Sequence, residues 1–133
     1  MQREVRAAPQ ARLLRGYAMA AARPGAEVTV RVVGASEARR LNRIFRRRNY
    51  APNVLSFSYD ARRGDVVLCH PVISREAKAQ GKTLVAHYAH LVVHGMLHLR
   101  GHDHRRAADA ARMERAERRL LRRLGFADPY AVE

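Results

Sequence analysis

Eleven residues, His94 to His104, read HGMLHLRGHDH and hold four of the seven histidines of the chain. His94 and His98 stand four apart, so on an α-helix both imidazoles lie on one face, one turn apart. Three residues on comes Gly101, the residue type that readily takes the left-handed conformation at which helices end. His104 follows three residues later. A fold that uses this stretch has to stop a helix at Gly101 and turn the chain back. A third imidazole, His104, then closes on the ion held by His94 and His98.

His90, His94 and His98 also form a ladder on one helix face. Eight residues of helix rise about 12 Å, whereas zinc sits about 2.0–2.1 Å from an imidazole nitrogen. A straight helix therefore gives one ion at most two adjacent members. His94 and His98 are preferred, because the Gly101 turn follows them. A lone histidine on a helix is more often structural or solvated, and His70, His87, His90 and His102 are read so. Three nitrogen ligands with an open fourth position make a catalytic type of site, with one Zn2+ the ion best suited to them. Such a site can activate water or polarise a phosphoryl oxygen. His102 and Asp103, between the hinge and His104, are each placed to compete for the metal, and Asp103 is alternatively placed to orient a ligand from behind. The spacing H-x3-H-x2-G-x2-H matches the extended zinc motif of metzincin peptidases, but Gly95 stands where those carry their general-base glutamate. The clamp is expected without the peptidase base.

A chain of 133 residues is one domain, 1–133, by length, with enough sequence for a buried core. Residues 9–22 carry Leu13, Leu14, Tyr17, Ala18, Ala21 and Ala22 at helical spacing before Pro24-Gly25. Arg3 to Ala7 is a possible edge strand. Glu27 to Val33 alternates like a half-buried strand. Ser36 suits an N-cap, with Ala38, Leu41, Ile44 and Phe45 as the buried stripe of a second helix and arginines on its other face. Val54 to Ser58 and Val66 to Cys69 read as strands joined by a turn at Arg63-Gly64-Asp65. Pro71 to Lys78 reads as a short helix capped by Gly81, and Thr83 as the N-cap of the next. From Leu84 that helix is apolar nearly all round, as a central buried helix is. A last helix spans Arg105 to Leu124, with Met113, Ala116, Leu120 and Leu124 as its stripe. The expectation is an α+β domain: a small mixed sheet of about four strands, a buried central helix and flanking helices.

Lys and Arg number 26 against 12 Asp and Glu, leaving a net charge of +14. That excess points to a polyanion, nucleic acid first, although part of an arginine-rich surface is ordinarily solvated. The single Cys69 excludes an internal disulfide and fits a reducing compartment. The N-terminal residues lack the apolar stretch of a signal peptide, and Leu84 to Leu99 is too short and histidine-rich to span a bilayer. A soluble cytoplasmic protein with no membrane partner is expected.

With these residues in hand, the chain resembles the YbeY family of bacterial rRNA-maturation endoribonucleases. The similarity runs through Leu41-Asn42, Phe45-Arg46, Pro52 to Phe57, Gly64 to Cys69, Ala86 to His90, the HGMLHLRGHDH core, Leu124 to Phe126 and Asp128 to Tyr130. His102 replaces the tyrosine usual in the family core. The resemblance implies zinc on His94, His98 and His104. It also implies a functional arginine at Arg46, suited to gripping a phosphate through charge-assisted hydrogen bonds. It further implies cleavage of single-stranded RNA in maturation of the small-subunit rRNA 3′ end and in ribosome quality control, with rRNA and the ribosome or its proteins as partners. With no glutamate at position 95, the base is metal-activated water, Asp103 or the 2′-hydroxyl of the RNA. Two rivals stand beside this reading: a peptidase-like metallohydrolase, and a non-catalytic ribosome-associated factor in which zinc only fastens the last helix.

Overall fold

The computed structural model describes residues 8–101 and 107–130. Along them run α1 (Ala11–Ala21), β1 (Glu27–Val33), α2 (Ala35–Arg46), β2 (Val54–Ser58), β3 (Arg63–Cys69), α3 (His70–Gln80), α4 (Leu84–Leu99) and α5 (Ala107–Arg123). These elements form the expected α+β class. The mixed sheet has the order β1-β3-β2, with β1 parallel and β2 antiparallel to the central β3. Three strands therefore stand among the described residues, and the fourth expected one, at residues 3–7, lies outside them.

The central strand is buried on both faces. Val66 and Leu68 join one apolar cluster, while Val67 and Cys69 join another, as the two-residue period of a strand dictates. Into the first cluster α4 inserts Tyr88, Val92, Met96 and Leu97, all at most 1% exposed. Full burial of each such side chain is worth roughly 1.5–3 kcal/mol, which makes α4 the helix on which the rest is assembled. It packs against α1, α3, α5 and the β2–β3 hairpin. The second cluster is closed by α2 through Ala38 and Leu41.

Three local expectations are corrected. Gly34, extended directly after the buried Val33, caps α2 by accepting the Ala38 amide, so Ser36 lies inside the first turn. The buried line of α2 runs through Ala38 and Asn42, because the Asn42 side chain donates to Tyr50 O (3.0 Å) from a buried position. Ile44 and Phe45 are left 59% and 61% exposed. The hairpin turn comes earlier than Arg63-Gly64-Asp65: Asp60 Oδ1 accepts the Arg62 and Arg63 amides at 2.8 Å each. Gly64 belongs to β3, where a Cβ would lie 2.8 Å from Phe57 O and 2.9 Å from Leu99 Cδ2. Thr83 does cap α4, accepting the Ala86 amide at 3.1 Å.

Candidate metal centre and its groove

On α4 the i, i+4 spacing does what helical geometry requires. His94 Nε2 and His98 Nε2 face each other at 3.1 Å. Two nitrogens on one tetrahedral zinc, each about 2.0–2.1 Å from it, stand about 3.4 Å apart. The pair therefore fits a shared ion with little movement. The helix ends as the sequence suggested, with Gly101 at φ 91°, a left-handed turn that an L side chain resists. His104, Asp103 and His102 lie outside the described residues.

The other nitrogen of His94 is also committed. Glu117, 1% exposed on α5, accepts from His94 Nδ1 through Oε1 at 2.9 Å. Its Oε2 accepts from His90 Nε2 at 2.6 Å and from the Tyr130 hydroxyl at 2.8 Å. Burial works to raise the Glu117 carboxyl, but hydrogen bonds from His90 and His94 and the field of the same imidazoles outweigh it and hold the pKa at about 2. The group is a carboxylate and can only accept, so His94 Nδ1 donates to it, and in the neutral imidazole that binds metal the lone pair then lies on Nε2, the nitrogen that faces His98. A carboxylate behind a histidine in this way is the usual backing of a metal-ligating imidazole.

His90, His94 and Glu117 each offer a ligand-type atom within 4.8 Å of the others, and so make a candidate metal site among the described residues. His94 thus meets His98 through Nε2 and, through Nδ1, the Glu117 carboxylate that also holds His90. Glu117 was not expected from sequence. Its signal was there, because it stands four residues after Met113 on the buried face of α5, where a carboxylate needs partners. That face buries Met113, Ala116, Glu117 and Leu121, with Leu120 and Leu124 only partly covered, a turn of the stripe away from the one expected. Among the described residues, the other two histidines, His70 and His87, are buried. His70 Nδ1 meets the buried Tyr88 hydroxyl at 2.7 Å, and His87 Nε2 donates to Glu76 Oε1 at 2.9 Å.

His94 and His98 open on a groove of about 500 Å³ whose walls include Arg46, Arg48, Tyr50 and Ser56. Arg46 is the last residue of α2, which stops at Arg47 in a left-handed turn (φ 57°). Its Nη2 donates to Ser56 O at 2.9 Å, which ties the guanidinium to the groove wall. Across the same strand, Ser56 Oγ donates to Gly95 O at 3.0 Å. A Cβ at Gly95 would lie 3.0 Å from both Ser56 Oγ and Val66 Cγ1. The position of a peptidase glutamate is thus packed against the sheet, where even a Cβ would push its neighbours aside.

A family profile described as Endoribonuclease YbeY matches residues 3–125. Endoribonuclease YbeY of Aromatoleum aromaticum is 55% identical over 126 residues, 92% of this chain and 82% of the relative. That of Thiobacillus denitrificans is 50% identical over 127 residues, 92% and 86% of the two chains. The solution structure of a Thermotoga maritima protein superposes with a TM-score of 0.53 at 19% identity, covering 91% of this chain and 85% of that one, a likeness of fold.

Proposed function

The chain belongs to the Endoribonuclease YbeY family, and from that membership we propose that it is a zinc-dependent endoribonuclease cutting single-stranded RNA. Its role in this reading is maturation of the small-subunit rRNA 3′ end and ribosome quality control in the cytoplasm, in contact with the ribosome or its proteins. The observation that carries the reading is the His94–His98 nitrogen pair at 3.1 Å, opening on an arginine-walled groove. In the proposed site His94 and His98 hold one zinc ion together with His104, and Glu117 fixes the ring of His94 from behind. Bound zinc supplies Lewis acidity toward water and a phosphoryl oxygen.

Arg46 is proposed to grip the phosphate: its guanidinium is tethered by Ser56 O at the rim of the groove and offers a fork of donors to a phosphodiester. Asp103, next to the third ligand, is proposed to take up or orient a proton. The peptidase rival finds no support at Gly95, where a Cβ already meets the sheet. Against the rival of a purely structural ion stands Glu117, which itself fastens α5 to α4 by accepting from His90 and His94. No helix among the described residues is long and apolar enough to cross a membrane.

The test is cleavage of a labelled single-stranded RNA by the purified protein, before and after chelation and after zinc is restored, with circular dichroism in parallel. Cleavage lost and regained with an unchanged spectrum is the expected result. Cleavage indifferent to chelation, or hydrolysis of casein in place of RNA, would overturn the reading.

A further inference from the structure

The end of α2 leaves aromatic rings in water on both sides of Arg46. Phe45 is 61% exposed, Tyr50 53% and Tyr59 64%. Tyr50 lines the groove of the histidine pair. Phe45 and Tyr59 line a second cavity, of about 530 Å³, together with Phe57, Arg31 and Arg46. The two cavities share Arg46 and Ser56 as a common wall. The second is not a loose surface dent. Phe45 meets Phe57 edge to face at 5.2 Å, and Phe57 is itself packed on the apolar cluster beneath α2. Tyr59 is held by its hydroxyl, which donates to Asp65 Oδ2 at 2.5 Å.

We propose that the Phe45–Phe57–Tyr59 cavity is a nucleobase-stacking subsite, taking the base of the nucleotide next to the phosphate that Arg46 grips. The inference rests on the endoribonuclease reading above and adds to it a seat for the base. Its occupant is identified by two demands met in one place. An unpaired base needs an aromatic face to stack on, and the phosphodiester beside it needs cations. Rings and guanidinium groups supply both here, with Arg43, Arg47 and Arg48 continuing the basic surface along and beyond the end of α2. The acidic groups at this place are occupied: Asp65 by Tyr59, and Glu37 by Arg31. Bases inside a duplex are already stacked and do not reach such a cavity, so the subsite selects for single strands. The size lies within the usual range of small-ligand pockets.

The test uses RNA oligonucleotides in which 2-aminopurine is moved one position at a time, read by stopped-flow fluorescence before cleavage with zinc-loaded protein. On wild type, emission is quenched most at one position beside the cleaved bond. Phe45→Ala abolishes that quench and weakens binding about 5- to 150-fold, the span of base–aromatic stacking, whereas Phe45→Tyr retains both. An abasic substitution at the same position weakens wild type by a similar factor and Phe45→Ala hardly further. Because Phe45 is largely exposed, the alanine variant is expected to fold, and an unchanged melting temperature checks it. Wild type that binds and cuts RNA, beside a Phe45→Ala protein of equal affinity and equal quench, would overturn the subsite while leaving the endoribonuclease reading intact. Phe45→Ala that loses only a ribosomal protein partner would assign the rings to protein docking and overturn it too. Wild type that neither binds nor cuts RNA would overturn both.

Discussion

Glu117 sits behind the histidine pair as a buried charge with three donors around it, and its replacement separates structure from metal binding. Glu117→Gln keeps the shape but sets an amide donor against the N–H of His90 or His94. Losing such a backing carboxylate weakens metal about 10- to 100-fold, and competition with a zinc chelator reads the loss. Glu117→Ala strips two imidazoles of their acceptor, and breaking a buried charged network of this kind costs roughly 3–5 kcal/mol, seen as a lower denaturation midpoint. Arg46→Ala is expected to retain zinc and lose turnover. An unchanged rate would remove Arg46 from the mechanism. The pair His94 and His98 was legible from spacing alone, because a helix fixes what i and i+4 share. Glu117 was not, since its partners lie 27 and 23 residues earlier and meet it only through packing.

Between elements, α4 comes close to the β2–β3 hairpin at Gly95, where a Cβ would lie 3.0 Å from both Ser56 Oγ and Val66 Cγ1. Gly95→Glu, which would write the metzincin base into the motif, forces a carboxylate between Ser56 and Val66. It is expected to destabilise the fold by about 3 kcal/mol or more and to create no peptidase, as urea melts and a casein assay would show. The hairpin itself is pinned by Asp60, whose carboxyl is held at about 2 by the Arg62 amide first, then by the side chain and amide of Arg63. A carboxyl lowered on folding contributes stability that is fully present above its unfolded value of 3.8 and is lost as pH falls toward 2. Asp60→Asn should flatten that part of an acid melt. The strands and helices were readable from their periods, but their joints were less so. Arg63-Gly64-Asp65 looks like a turn by residue type, yet Gly64 is there for a close approach within the sheet. Ile44 and Phe45 continue an apolar spacing but pass beyond the core that Ala38 and Asn42 define, and only the packed structure reveals that exposure.

For the molecule as a whole, a net charge of +14 predicts RNA affinity that falls steeply with salt, by about 0.7 in the logarithmic slope per neutralised phosphate on a single strand. A flat titration between low and high salt would contradict the electrostatic part of the account. The α+β class was legible because a helix apolar nearly all round has to be central, and alternating valines have to face it. The pairing of β1 with β3, parallel and across α2 and β2, was not, because strand order depends on contacts distant in sequence. Zinc is expected on the Nε2 side of His94, shared with His98, with His90 and Glu117 only supporting it from the Nδ1 side. Zinc content of purified wild type, His98→Ala and His90→Ala proteins tests this most directly. The account predicts one ion per chain in wild type, nearly none in His98→Ala and close to the full amount in His90→Ala. A His98→Ala protein that keeps its zinc while His90→Ala loses it would contradict the account.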